Sequence, residues 1–186
     1  MEAESPDMSI LLKKVQAIMF YVRIVEMVMR RVVLLLVVVS SSVAWAGEFE
    51  DGEAAYKRDD YATAAIKFRG VAANGNAVAQ VKLGWLHAQG QGVAQDYAEA
   101  VKWFRLAALQ GNAIAQYNLG GMYAQGQGVA QDYVRAYMWL NFAAVSGIAA
   151  SIKWRDTTAS LMTPQQLAEA QKMAQYCQAK KLKGCN

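Results

Sequence analysis

The stretch that decides the fold is AQGQGVAQDY, Ala88 to Tyr97, because it returns unchanged as Ala124 to Tyr133. The distance between the copies is 36 residues, and it recurs in Asp60-Tyr61, Asp96-Tyr97 and Asp132-Tyr133 and in Gly75, Gly111 and Gly147. Aligned from Asn76 and from Asn112, the two 36-residue segments share 21 identical positions. A period in the thirties is the mark of a helical-hairpin solenoid, whose units bury their apolar faces only against their neighbours and offer an extended surface to a partner.

Within one unit the chain reads as two helices and two turns. Asn112 to Ala124 has no proline and is rich in Ala, Leu, Met and Gln, which suits a helix of about three turns, called helix A below. The run from Gln125 to Gln131 breaks it, since Gly126 and Gly128 supply backbone freedom for a loop. Asp132 is placed to cap the next helix, helix B, through its first free N–H groups. In the preceding unit Asp96 and Glu99 read as a two-way capping box, whereas Arg135 takes the Glu position in the later one. Helix B runs from Tyr133 to about Ser146, with Ala136, Trp139, Leu140 and Ala143 on one face and Gly147 as its C′ residue. Gly84 and Gly120 lie inside helix A, where glycine costs about 1 kcal/mol relative to alanine. Close approach of a neighbouring helix offsets that, with Ala107-Ala108 and Ala143-Ala144 as the flat surfaces.

The flanks are variants of the same plan. Residues 47–75 read as a degenerate amino-terminal hairpin that lacks the Gly-x-Gly loop and turns more tightly at Asp60. Residues 148–186 read as capping helices. The first runs from Ile148 to about Ser160, and the second starts at Thr163-Pro164-Gln165-Gln166 and carries Leu167, Ala170, Met173, Ala174 and Cys177 on one stripe. Terminal units of a solenoid are atypical because one of their faces meets water.

The residues of the two copies resemble the Sel-1-like repeat (SLR) family, relatives of the tetratricopeptide repeats. The resemblance rests on Ala115, Leu119-Gly120, Met122-Tyr123, Gly126-x-Gly128-Val129, Asp132, Ala136, Trp139, Ala143-Ala144 and Gly147. The earlier copy matches with Ala79, Leu83-Gly84, Leu86-His87, Gly90-x-Gly92-Val93, Asp96, Ala100, Trp103, Ala107-Ala108 and Gly111. It covers repeats 76–111 and 112–147 well and 48–75 and 148–181 loosely, and His87 departs from the family's tyrosine. The resemblance implies an all-α, right-handed α-α superhelical solenoid that serves as an adaptor for protein partners, often in bacterial envelopes.

The amino terminus reads as an export signal. Met29-Arg30-Arg31 is followed by the apolar run Val32 to Val39, then small residues and Ala44-Trp45-Ala46. That is a basic n-region, an h-region and an A-x-A cleavage site, so residues 29–46 form a signal peptide with the mature chain starting at Gly47. The run is shorter than the roughly 20 apolar residues of a membrane span, although an uncleaved anchor is the alternative. Residues 1–28 read as an over-called leader, with translation starting at Met29 or Met27; a genuine amphipathic or membrane-associated leader is the alternative. The expected location is therefore periplasmic or secreted, with membrane contact only during export.

From Gly47 onward the chain carries 14 Lys and Arg against 11 Asp and Glu, a net of +3 with no basic stripe interleaved with aromatics, so nucleic acid is not an expected partner. Cys177 and Cys185, an even pair in an exported chain, read as a disulfide. It closes a short loop, a contribution of about 2.5 kcal/mol on the chain-entropy model. The lone histidine leaves no set of metal ligands, and no nucleophile or phosphate-loop motif occurs. The expectation is a protein that is not an enzyme and holds no cofactor; the resemblance also raises a β-lactamase-like hydrolase, disfavoured because the cysteine-rich proteins so labelled carry a cysteine pair in each repeat and this chain does not.

The two copies also point to a binding face. Along helix A the identical positions occupy one arc, while the differing pairs Val81/Tyr117, Lys82/Asn118 and Trp85/Gly121 occupy the opposite one. In tetratricopeptide-like solenoids the A helices line the concave surface. Val81, Lys82, Trp85, Tyr117 and Asn118 are therefore the expected partner-binding residues, with an exposed Trp85 as anchor. The alternative reading is a structural or glycan-binding envelope subunit whose aromatics, Trp85, Trp103, Trp139 and Trp154, stack on sugars.

Overall fold

The computed structural model describes residues 47–185 without interruption, together with Met19, Phe20, Arg23 and residues 25–30. The chain divides into two compact units, residues 1–46 and residues 47–186. In the first unit the described residues are helical and exposed. The expected signal peptide lies outside the described residues apart from Met29 and Arg30, and its cleavage site lies wholly outside them. No helix among the described residues is long and apolar enough to cross a membrane.

The second unit is a succession of helices: α1 (47–57), α2 (Tyr61–Ala73), α3 (Ala77–Gln89), α4 (Tyr97–Leu109), α5 (Ala113–Gln125), α6 (Tyr133–Val145), α7 (Ala149–Ser160) and α8 (Pro164–Ala179). No strand occurs among the described residues. Each helix from α2 to α6 packs against the next, and α6 packs against both α7 and α8, so the hairpins stack into an all-α solenoid. The odd-numbered helices are A helices and the even-numbered ones B helices. The four helices α3 to α6 are each 13 residues long.

Local chemistry sets the boundaries. Asn76 and Asn112 stand just outside α3 and α5 as N-caps, accepting from Ala79 N and Ala115 N, so helix A begins one residue later than composition suggests. Asp60, Asp96 and Asp132 cap the B helices through N–H groups three residues on. The expected second half of the Asp96 box does not form. The Asp96 N–H is taken by the His87 carbonyl at 2.9 Å, and the Glu99 carboxylate meets Lys102 at 2.7 Å instead. Thr163 and Gln166 do form a complete capping box at the start of α8.

The core repeats with the sequence. Ala79, Leu83 and Leu86 of α3 and Ala115, Leu119 and Met122 of α5 are buried, as are Ala100, Phe104 and Ala107 of α4 and Ala136, Trp139, Leu140 and Ala143 of α6. Gly84 and Gly120 open gaps that are filled by large side chains, not by alanines: a Cβ on Gly84 would lie 2.8 Å from the Phe104 ring, and one on Gly120 would lie 2.7 Å from Leu140 Cγ. Trp139 is fully buried, whereas Trp103 is half-buried against the core. At the carboxyl end Cys177 and Cys185 are bonded, with Cα atoms 5.8 Å apart. Both are buried in the cluster that holds Met138 and Ala174, so the disulfide fastens the tail where α8 covers α6.

One core position is poorly matched to its surroundings. His87 occupies the slot of Tyr123, is 8% exposed, and neither ring nitrogen makes a well-formed hydrogen bond. Tyr123 instead accepts a 2.7 Å hydrogen bond from Arg105, and the residue one repeat before Arg105 is Arg69. Burial, reinforced by Arg69, pushes the His87 pKa below its ordinary 6.5 against the opposing pull of Glu99 and Asp96. The unfolded chain therefore binds a proton more readily, and stability present above about pH 6.5 is lost as pH falls through the folded value. His87→Tyr should supply Arg69 with the acceptor that Arg105 already has. The expected result is a gain of about 1 kcal/mol in urea unfolding at neutral pH and a shallower loss of stability between pH 7 and 5. A variant as acid-sensitive as the parent would show that another group carries the slope.

Candidate functional site: a two-chambered groove on the A-helix face

Helices α3, α5 and α7 present a groove with two neighbouring chambers. The first, about 250 Å³, is lined by Trp85, Ala88 and Gln89 of α3, Tyr97 and Phe104 of α4, Tyr117, Asn118, Gly121, Met122 and Gln125 of α5, Gln127, and Trp154 of α7. The second, about 220 Å³, is lined by Ala124, Gln125, Tyr133, Lys153, Trp154, Thr157, Thr158 and Leu161. Every residue of the second chamber stands 36 positions after a residue of the first: Ala88 to Ala124, Gln89 to Gln125, Tyr97 to Tyr133, Tyr117 to Lys153, Asn118 to Trp154, Gly121 to Thr157, Met122 to Thr158 and Gln125 to Leu161. The groove is periodic because the solenoid is.

Its floor depends on small residues. A Cβ on Gly121 would lie 3.0 Å from the Trp154 ring, so glycine lets the indole lie against α5. Tyr117 and Trp154 face each other with ring centroids 6.0 Å apart, the tilted geometry that aromatic pairs favour. Asn118 donates to the Ile114 carbonyl of its own helix at 2.7 Å.

One repeat further back the same step is shut. The positions equivalent to Gln89 and Asn118 are Glu53 and Lys82, which form an ion pair at 3.0 Å, and the Lys82 ammonium also sits 4.6 Å from the centre of the Tyr56 ring. Tyr56 in turn packs edge-on against Tyr61. Helix α1 therefore fills the place that a partner could enter further along.

These contacts place the five expected partner-binding residues. Trp85, Tyr117 and Asn118 come together in the first chamber. Trp85 is half-buried and packs partly on the core, so it is not a freely exposed ring. Lys82 is engaged by Glu53 and lines neither chamber. Val81 is 3% exposed and belongs to the core, so its side chain offers no contact to a partner. Its arc assignment failed because Val81 joins Val101 and Phe104 in one buried cluster: the same helix position is buried at Val81, half-exposed at Tyr117 and exposed at Lys153. Gln89, Gln125 and Lys153 were not selected from the sequence and Trp154 entered only the glycan reading, although an offset of 36 from Glu53, from Gln89, from Tyr117 and from Asn118 finds them. Among the described residues no His, Cys, Asp and Glu side chains gather as a metal site would require.

A family model described as the Sel1 repeat matches residues 77–112 and 113–147. Among solved structures the chain is similar to c5321, a protective antigen present in uropathogenic Escherichia coli strains and displaying an SLR fold. Identity is 31% and the TM-score 0.68, over 74% of this chain and 31% of that one, so this chain spans about a third of the antigen's length. It is also similar to a Sel1 repeat protein from Oxalobacter formigenes, with 33% identity and a TM-score of 0.57 over 63% of this chain and 91% of that one. No curated protein matches the chain.

Proposed function

The chain belongs to the Sel1 repeat family, and from that premise we propose that it is a non-catalytic protein-interaction adaptor of the bacterial envelope that seats its partner in the groove of α3, α5 and α7. The observation that supports this most is the groove's lining: half-exposed rings at Trp85, Tyr117 and Trp154 beside the amides of Gln89, Asn118 and Gln125. Aromatic anchors dominate protein interfaces because they bury large areas at small entropy cost, and amides meet a partner's backbone N–H and C=O groups. The envelope assignment draws on the export signal read at 29–46 and on the disulfide, which is compatible with an oxidising periplasmic or secreted location.

A photo-crosslinking residue at Asn118 should yield covalent protein adducts in intact cells, while the same residue at Leu106, exposed on α4, should not. Adducts from Leu106 but none from Asn118 would place the partner elsewhere. The glycan reading is weakened by Trp139, which is fully buried, and by Trp103, which packs on the core outside both chambers.

A further inference from the structure

We infer that the groove takes an extended acidic peptide in a fixed register, with an uncharged side chain in the first chamber, a large apolar one in the second, and a carboxylate beside it held by Lys153. This rests on the adaptor reading above and names the chemistry of its partner.

The three successive steps along the A helices are the same place built three ways. The first step is filled from within by the Glu53–Lys82 ion pair under Tyr56. The second replaces the ion pair by Gln89 and Asn118, whose amides suit an uncharged polar group or backbone and would leave a charge unpaired. The third puts Gln125 and Trp154 at those positions, keeps the tyrosine as Tyr133, and has Leu161, 59% exposed, where the second has Gln125, so it suits an apolar side chain.

Charge then selects the flank. No carboxylate lines either chamber, and the one ionised group in the pair is the Lys153 ammonium at the rim of the second. Its neighbour Arg155 is already held by Asp156 and Asn141, whereas Lys153 is exposed and forms no ion pair with a described residue. Complementary charge at a rim steers encounter and rejects wrong partners.

Geometry sets the register. The two chambers share Gln125 and Trp154 as a common wall, so one extended chain reaches both. An extended chain in the polyproline II form rises about 3.1 Å per residue and brings positions three apart to one face, so neighbouring chambers receive residues i and i+3 of one peptide.

The test is selection of random dodecapeptides displayed on phage against the full chain and against its Lys153→Glu variant, whose substitution is exposed. The full chain should enrich peptides with an apolar residue next to Asp or Glu and an uncharged residue three positions before it. A synthetic copy should lose about tenfold in affinity for Lys153→Glu, and that variant should instead enrich Lys or Arg at the acidic position. Enriched peptides that lack the acid, that bind Lys153→Glu equally, or that are displaced by soluble peptidoglycan fragments overturn the assignment. Adducts through Asn118 in cells without enrichment of any peptide overturn it while the adaptor reading stands; absence of both removes both.

Discussion

Gly128→Ala should lower the stability of the folded repeats by about 3–5 kcal/mol, near the top of the range for a single substitution. The sequence assigns this glycine to a loop, where freedom of the backbone is reason enough for it. The structure gives a stronger reason. Gly128 has φ +70°, and a Cβ there would lie 2.3 Å from the carbonyl carbon and oxygen of Tyr97 and 2.6 Å from the N of Ala98. Those atoms are backbone at the first turn of α4, already committed to the helix that Asp96 caps, and they cannot step aside as a flexible side chain would. Gly92 makes the same approach to Tyr61 at the start of α2, with a Cβ distance of 2.2 Å. The loop of each repeat thus rests on the B helix of the repeat before it, which is how one hairpin registers against the next. Gly126 provides the internal control. It has nearly the same φ, +68°, but its Cβ would come no nearer than 3.3 Å to Gln131 Cβ and 3.4 Å to Gln131 N, so Gly126→Ala carries the left-handed strain of about 1–2 kcal/mol and little else. Urea unfolding followed by circular dichroism compares the two. Equal losses would show that the loop does not bear on the preceding repeat.

Much of this architecture was legible because repetition multiplies every local signal. A lone Asp before a Tyr says little; three of them 36 residues apart, each followed by an apolar helical stripe, give the B-helix starts, and Asp60, Asp96 and Asp132 cap as read. What the period could not convey was where the chain departs from it. Helix α1 lacks the repeat's glycine loop, yet it supplies Glu53 and Tyr56 to Lys82 and closes a step that two intact copies alone would leave open. Helix α7 lacks the Leu-Gly signature of the A helices, so Trp154 reads only as one of several aromatics until its place one repeat after Asn118 is noticed. The failed half-box at Asp96 has a similar origin: the loop folds back so that the His87 carbonyl takes the N–H that Glu99 would have accepted, and the same bond recurs from Asp132 to Tyr123 at 3.0 Å. Propensity sees the candidate partners within a helix end but not the loop that brings a competing carbonyl.

Gly120→Val should cost about 3 kcal/mol, and Leu140→Ala should recover part of it. The two glycines at the middle of α5 serve opposite sides of the helix. On one side a Cβ at Gly120 would stand 2.7 Å from Leu140 Cγ and 3.1 Å from the Leu140 backbone N, so α6 approaches as closely as it does only because that atom is missing. On the other side Gly121 admits the Trp154 ring at the floor of the groove. A valine at 120 would push α6 away or force Leu140 off its rotamer, the overpacking penalty of about 1–3 kcal/mol, and its branched Cβ leaves little room for relaxation in a site where Leu119, Gly120 and Leu140 are all buried. Leu140→Ala alone should cost about 2–5 kcal/mol as a cavity. Together, the valine would occupy part of the space that Leu140 vacates, so the double variant should be more stable than the sum of the two single losses by at least about 1 kcal/mol. Strict additivity in urea unfolding would mean that Gly120 and Leu140 do not interlock and that the glycine is there for another reason. Phe104 against Gly84, with a Cβ distance of 2.8 Å, is the same joint one repeat earlier, so the coupling should reappear between Gly84→Val and Phe104→Ala.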